Sequence, residues 1–205
     1  LVILLTYFYE SLQYHPLVVG KTPLVTLTFE ERAHFVHIGN FRHAPNWDAV
    51  LQLKQSIWPE IRKALPKAEL HIYGAYPPKK ATQLHNEKQG FLVKGWAENV
   101  ESIMLSAKVL IAPLRFGAGI KGKLIDAMRC ATPSITTWIG AEGIISAASI
   151  TANSNIQEID DPKRLAQWPG ALCSANTTDA AVIQDYVRQA VALHNEKSTW
   201  DSASN

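Results

Sequence analysis

Between Val109 and Met128 the sequence changes its period, and that change constrains the fold more tightly than any other stretch. Val109–Leu114 is an apolar run of the length expected for a buried strand. Beyond it, Ile120, Leu124, Ala127 and Met128 fall at i, i+4, i+7 and i+8, one face of a helix beginning near Ile120. Gly117, Gly119 and Gly122 stand at the junction, where glycine lets the backbone approach a ligand and the first amides of a helix point outward without partners. Lys121 and Lys123 lie in that first turn, where the positive end of the helix dipole disfavours a cation by roughly 0.3–1 kcal/mol. Two lysines in such a place imply an anion, and phosphate is the one helix N-termini most readily hold.

Two motifs share these letters. Gly117-x-x-x-x-Gly122-Lys123 matches a P-loop, but Leu124 follows where a Ser or Thr would hold magnesium. Gly117-x-Gly119-x-x-Gly122 matches the dinucleotide fingerprint, with Glu142 about where a ribose-binding acid belongs. That fingerprint follows the first strand of its domain, and here at least three strand-like segments precede it. Both readings are set aside.

Those earlier segments repeat one rhythm. Phe35–Gly39, Glu69–Gly74 and Gly90–Gly95 read as strands, the first two ending at a glycine and the third bounded by one at each end; Lys108–Leu114, Pro133–Thr137 and Ala171–Ser174 continue the series. Helical patterns separate them. Asn46 is placed to cap a helix whose inner face is Trp47, Val50, Leu51, Ile57, Trp58, Ile61 and Leu65. A weak helix runs from Pro77 to about Glu87, another spans Glu98–Ser106, and a clear one spans Asp179–His194 with Ile183, Tyr186, Val187, Ala190, Val191 and Leu193 on its apolar side. Residues 144–168 are Ser-, Ala-, Asn- and Thr-rich and suggest only a helix at Pro162–Gln167. Strands alternating with helices of this length predict an α/β fold with an open parallel sheet. Residues 1–27 are expected to be a connector or remnant of an upstream unit, and 28–205 the domain itself.

Composition narrows the class. Of 205 residues, 47% are hydrophobic and 19% charged, as in ordinary globular chains, and the net charge of +2 is too small to argue for nucleic acid. Cys130 and Cys173 have no Cys or His at metal spacing, which suggests a reducing compartment and no metal site. No apolar run approaches the ~20 residues that span a bilayer. Leu1–Leu5 lacks a basic leader and cleavage site, and with no initiator methionine the chain is expected to be a fragment. Trp47, Trp58 and Trp168 are expected in the core, and His37 and His71, inside strands, to be structural. No spacing supports a Ser-His-Asp or Cys-His arrangement.

Taken in order, IGNFRHAPN (38–46), ELHIYG (69–74), VKGW (93–96), APLRFGAGIKGKLIDAM (112–128) followed by Thr132-Pro133, and GAEG (140–143) resemble the C-terminal, donor-binding domain of group 1, retaining glycosyltransferases of the GT-B type. The resemblance covers roughly residues 28–200. It implies one Rossmann-like half of a GT-B fold, helices on both faces of the sheet, and a nucleotide-sugar held over the carboxyl ends of the strands. On that footing the turn Gly117–Lys121, including Gly119 and Ile120, would hold the diphosphate together with Lys123, flanked by Gly39 and Asn40. Gly95 and Trp96 would lie near the base, Asp126 would accept from the ribose, and Arg42 and Glu142 are further donor-site candidates.

The sequence departs from the family at three places. Ala118 stands where the first glutamate of a family pair touches the donor sugar, Asp126 is one methylene shorter than the second glutamate, and the usual first-loop Arg and Lys fall near Asn40 and Pro45. A lysine-rich variant of the turn belongs to one branch of the family. The resemblance thus implies a glycosyltransferase that passes sugar from a nucleotide-sugar substrate, without a separate cofactor, to a glycan or glycoconjugate acceptor. The acceptor site and any base would lie in a missing N-terminal domain, so the chain alone should be inactive. It would work in polysaccharide biosynthesis in the cytoplasm or at the inner face of a membrane. A non-catalytic Rossmann-like module binding a nucleotide or a partner protein is the alternative.

Overall fold

A computed structural model describes residues 21–144, 170–173 and 179–195. Six strands, β1 (Ala33–Ile38), β2 (Leu70–Tyr73), β3 (Phe91–Gly95), β4 (Ala107–Ala112), β5 (Ser134–Thr137) and β6 (Gly170–Cys173), form one parallel sheet in the order β3-β2-β1-β4-β5-β6. The open parallel sheet expected from the sequence is present, and each of the six strand segments pairs. Strands β1 and β4 lie at the centre, so both their faces are covered: β4 reads as a nearly unbroken apolar run, and β1 buries Phe35, Val36 and the polar His37 in succession.

Alternation along the strands divides the core into two layers. On one face, Phe35, Ile72, Val109, Ile111 and Ile135 meet Val50, Leu53, Ile57, Trp58 and Ile61 and the last helix, α6 (Ala180–Asn195), through Tyr186, Val187 and Ala190. On the other, Val36 and Leu110 meet Met104 of helix α4 (Val100–Ser106) and Leu124 and Ala127 of helix α5 (Gly122–Arg129). The buried hydroxyls of β5 all find carbonyl acceptors, Ser134 at Thr132, Thr136 at Ala112 (2.8 Å) and Thr137 at Leu114.

The long helix after β1 differs from its expected form in two ways. Helix α1 (Ala44–Gln52) passes through a π turn (Leu53–Ile57) into α2 (Trp58–Ala64). Pro59 supplies the reason, because it has no N–H to donate to the Gln55 carbonyl and its ring crowds that turn, so the chain widens there. Leu53, three residues on from Val50 and so on the same helical face, is buried, whereas Leu51, expected on the inner face, is only half-buried. The cap also differs. His43 is the N-cap and makes no side-chain capping bond; the helix starts at Ala44, two residues before Asn46, with Pro45, whose φ already suits a first turn, as its second residue.

Between β2 and β3 only a short helix, α3 (Lys79–Thr82), and a 3₁₀ turn at Glu87–Gln89 form. Trp58 is in the core, its Nε1–H donating to the Gln89 carbonyl at 2.7 Å, and Trp47 packs at its edge. The helix suggested at Pro162–Gln167, Trp168 and the segment 1–9 lie outside the described residues.

Candidate functional site

In an open α/β sheet the crevice lies beyond the carboxyl ends of the strands, where the strand order reverses. Here the reversal falls between β1 and β4. The two connections leaving those ends are Gly39–His43 and the glycine turn, and they meet. A Cβ built on Gly117 would lie 3.4 Å from Cγ of Pro45, and the Lys123 Nζ donates to Asn46 Oδ1 at 2.7 Å. The glycine turn therefore follows the fourth strand, the place from which the dinucleotide fingerprint was set aside.

Helix α5 begins two residues later than its apolar period suggested. Lys121 is the N-cap, with extended ψ and no side-chain capping bond, and Gly122 is the first helical residue. Ile120 thus lies outside the helix and is 48% exposed; Ile125 takes the buried position expected of it. Leu124 and Ile125 turn their amides back to the Lys121 carbonyl, while the amides of Gly122 and Lys123 have no backbone acceptor among the described residues. Helix α1 also starts without a side-chain cap, so two uncapped N-termini converge on one crevice.

The lysines divide the space between them. Lys121 folds back, donating to the Gly119 carbonyl and lying 3.5 Å from Glu142 Oε2 in the loop after β5. That loop packs on the turn so closely that a Cβ on Gly143 would sit 2.9 Å from Ile120. Lys123 turns inward to Asn46, and burial of its ammonium, with Lys121 adding repulsion, lowers its pKa to about 7. An exposed pair between Lys123 and Asp126 does not form. Asp126 instead lies 3.4 Å from Arg129 Nη1. His37, fully buried under the crevice, hydrogen-bonds through Nδ1 to the Ile111 carbonyl at 2.9 Å, and desolvation followed by the Lys123 charge pushes its pKa to about 3. It is a neutral imidazole throughout the physiological range.

The remaining candidates line the same edge. Gly39, Gly74 and Gly95 sit in a row at the ends of β1, β2 and β3, the Gly74 amide donating to the Gly95 carbonyl at 2.7 Å. Trp96 follows, 68% exposed. Asn40 closes its own loop, its Oδ1 accepting from the Arg42 amide at 2.8 Å, and the Arg42 guanidinium stacks on Tyr76 at 3.8 Å. Ala118 is exposed and offers the crevice only a methyl group.

Sequence reasoning missed Asn46 as a site residue, Gly74 as a packing position, and the clamp on the turn. In that clamp Arg115 Nε donates to Asp48 Oδ2 at 2.8 Å, with Nη2 on the other carboxylate oxygen, fixing the turn to α1. The Pro45-Asn46 dipeptide was the available signal, since a proline in a first turn moves the cap upstream and frees the asparagine.

Gly122 has an ordinary helical backbone, and a Cβ there would meet nothing within 4 Å among the described residues. Neither strain nor packing calls for glycine, so Gly122→Ala should stabilise the free protein by about 0.5 kcal/mol. If the open space serves an incoming anion, the same methyl should weaken binding of a nucleoside diphosphate several-fold. Unchanged affinity in a calorimetric titration would remove Gly122 from the site.

A family model described as group 1 glycosyl transferases matches residues 32–168. Comparison with curated proteins gave no match. Among solved structures, TarM of S. aureus aligns with a TM-score of 0.54 at 18% identity, over 89% of this chain and 36% of that one. The pneumococcal O-GlcNAc transferase GtfA, solved in complex with UDP and GlcNAc, aligns with a TM-score of 0.52 at 15% identity, over 94% of this chain and 36% of that one. At such identities the likeness is one of fold, and the chain spans about a third of the length of these proteins. No helix among the described residues is long and apolar enough to cross a membrane. With two thirds of its length matched by the family model, the chain belongs to the group 1 glycosyl transferases.

Proposed function

We propose that this chain is the nucleotide-sugar-binding domain of its enzyme, and that the crevice between β1 and β4 holds the donor diphosphate. One observation carries the reading: a lysine ammonium without a carboxylate partner among the described residues is held where two uncapped helix N-termini meet. Unopposed positive charge of this kind costs the free protein stability and is relieved by an anion. The Gly122 and Lys123 amides and the two lysines would take the phosphates. They would stabilise the diphosphate as it leaves the sugar, an electrostatic contribution that grows as charge develops.

The reading places the ribose near Asp126, whose ion pair with Arg129 leaves acceptor lone pairs, and the base near Gly95 and Trp96. It assigns the cationic role to lysines and calls for no separate cofactor. Tyr76, Trp96, Phe116, Ile120 and Trp138 are five of the seven large hydrophobic residues exposed among those described, and all lie in loops at this edge. An edge so apolar is suited to being covered, and an upstream domain carrying the glycan or glycoconjugate acceptor would close over it. Sugar retention and a role in glycan synthesis follow from family membership as part of the proposal.

Calorimetric titration with UDP, GDP and ADP and their sugar esters should show binding by at least one series. NAD binding without response to any of them would overturn the reading. The chain by itself should form no transfer product, and turnover by the isolated 205 residues would refute the assignment of the acceptor site and any base to another domain.

A further inference from the structure

The Asn46 side chain lies between the loop after β1 and the first turn of α5 and is fixed from three sides. A Cβ on Gly39 would come within 2.5 Å of Asn46 Cγ, so glycine at the end of β1 makes room for this amide. Asn46 Nδ2 donates to the Asn40 carbonyl at 3.1 Å, and Oδ1 accepts from the Lys123 Nζ at 2.7 Å. A carbonyl on one side and an ammonium on the other permit only one orientation of the amide. The side chain thus links the loop after β1 to the first turn of α5.

What matters is that the tether is neutral. The charged groups around Lys123 are committed elsewhere: Asp48 of α1 to Arg115, Asp126 of α5 to Arg129, and Glu142 of the β5 loop to Lys121. From β1 it faces His37, which carries no charge, and along its own turn Lys121, which repels it. An aspartate at position 46 would be nearly the same shape and would pair with the ammonium directly. We infer that Asn46 is a positioning residue for the anion site, aiming the Lys123 ammonium into the crevice without discharging it. This rests on the donor reading above and adds the residue that keeps its cation available.

The test compares the 205-residue chain with Asn46→Asp and Asn46→Ala, titrating UDP, GDP and ADP from pH 6.5 to 9.5 and following thermal unfolding in parallel. In the parent, affinity should fall as pH rises through the range above 7, because Lys123 gives up its proton there. Asn46→Asp should bind about tenfold more weakly at pH 7 while remaining folded. Its residual binding should lose that pH dependence, because a paired ammonium stays protonated. Asn46→Ala should bind several-fold more weakly and keep the parent's pH profile. A role confined to folding would move the melting temperature and leave the pH profile alone. If both variants bind with the parent's affinity and profile, the inference is overturned while the donor reading stands. If the parent binds none of the three nucleotides at any pH, the donor reading falls and takes this inference with it.

Discussion

Lys123→Met should make the protein more stable at pH 6 and at the same time remove most of its nucleotide affinity. Methionine keeps the apolar stem that crosses from α5 toward Asn46 and deletes the ammonium. In the folded protein that group's pKa is about 7, against an ordinary 10.5. The folded state therefore binds fewer protons than the unfolded chain between those values, and the stability of the parent rises with pH across that window. Below pH 7 the parent carries the whole disadvantage of a desolvated charge, each unit of depression corresponding to about 1.4 kcal/mol. Lost hydrogen bonding to Asn46 offsets part of the gain, so a net stabilisation of at least ~1 kcal/mol is expected at pH 6, or roughly 2–4 °C in melting temperature. The advantage should shrink as pH rises toward 10. Binding moves the other way: a charge-assisted contact to phosphate is worth about 1.5–3 kcal/mol, so affinity should drop by roughly ten- to a hundredfold. Lys121→Ala should be milder, since Lys121 already faces Glu142 and the Gly119 carbonyl. A Lys123→Met protein that is less stable at pH 6, or that binds as the parent does, would remove this lysine from the centre of the site.

A helix starting near Ile120 would make Lys121, closest to the glycine turn, the more important of the two, and the structure reverses that expectation because of where the helix starts. With a start at Ile120, Lys123 projects beside Asp126 and away from the turn. With the N-cap at Lys121, the same side chain swings to α1 and the end of β1. One or two residues of uncertainty at a helix end are ordinary, but around a helix each residue is a rotation of about 100°. The strands were far more legible, because a two-sided buried strand must be an apolar run whatever its neighbours are. The π turn was less so: Pro59 is visible, but whether a proline bends, widens or ends a helix depends on packing that the sequence does not show. Family membership could be read from the ordered series of motifs, each weak alone. Pro45 signals that Asn46 is free of a capping role, but not what it touches, since its partners Asn40 and Lys123 lie in other elements and are brought to it by strand order.

Gly74→Ala is expected to be among the most damaging single substitutions in the domain. The Gly74 backbone is not in the left-handed region, so strain of that kind is not the issue. A methyl carbon there would lie 2.0 Å from the Gly39 carbonyl oxygen and 2.7 Å from the Phe41 ring. Phe41 could swing, but a backbone oxygen at the end of a central strand cannot move alone. Relief requires the ends of β1 and β2 to separate, and two bonds hold them, Gly39 N–H to the Tyr73 carbonyl at 3.0 Å and Phe41 N–H to the Ala75 carbonyl at 3.1 Å, while Gly74 N–H to the Gly95 carbonyl at 2.7 Å ties the end of β2 to β3 and keeps it from yielding. Overpacking alone costs about 1–3 kcal/mol, and weakened ladder bonds add about 0.5–1.5 kcal/mol each. A loss of about 3–5 kcal/mol is therefore expected, visible as a lower urea midpoint with an unchanged slope. Shifting Gly39 also displaces Asn46, which packs directly over it, and with it the tether of Lys123. Nucleotide affinity in the folded fraction should fall together with stability, unlike Lys123→Met, where the two part company. If Gly74→Ala unfolds at the parent's urea midpoint, the close approach of Gly39 and Gly74 does not exist in solution, and the floor of the crevice is built differently from the arrangement described.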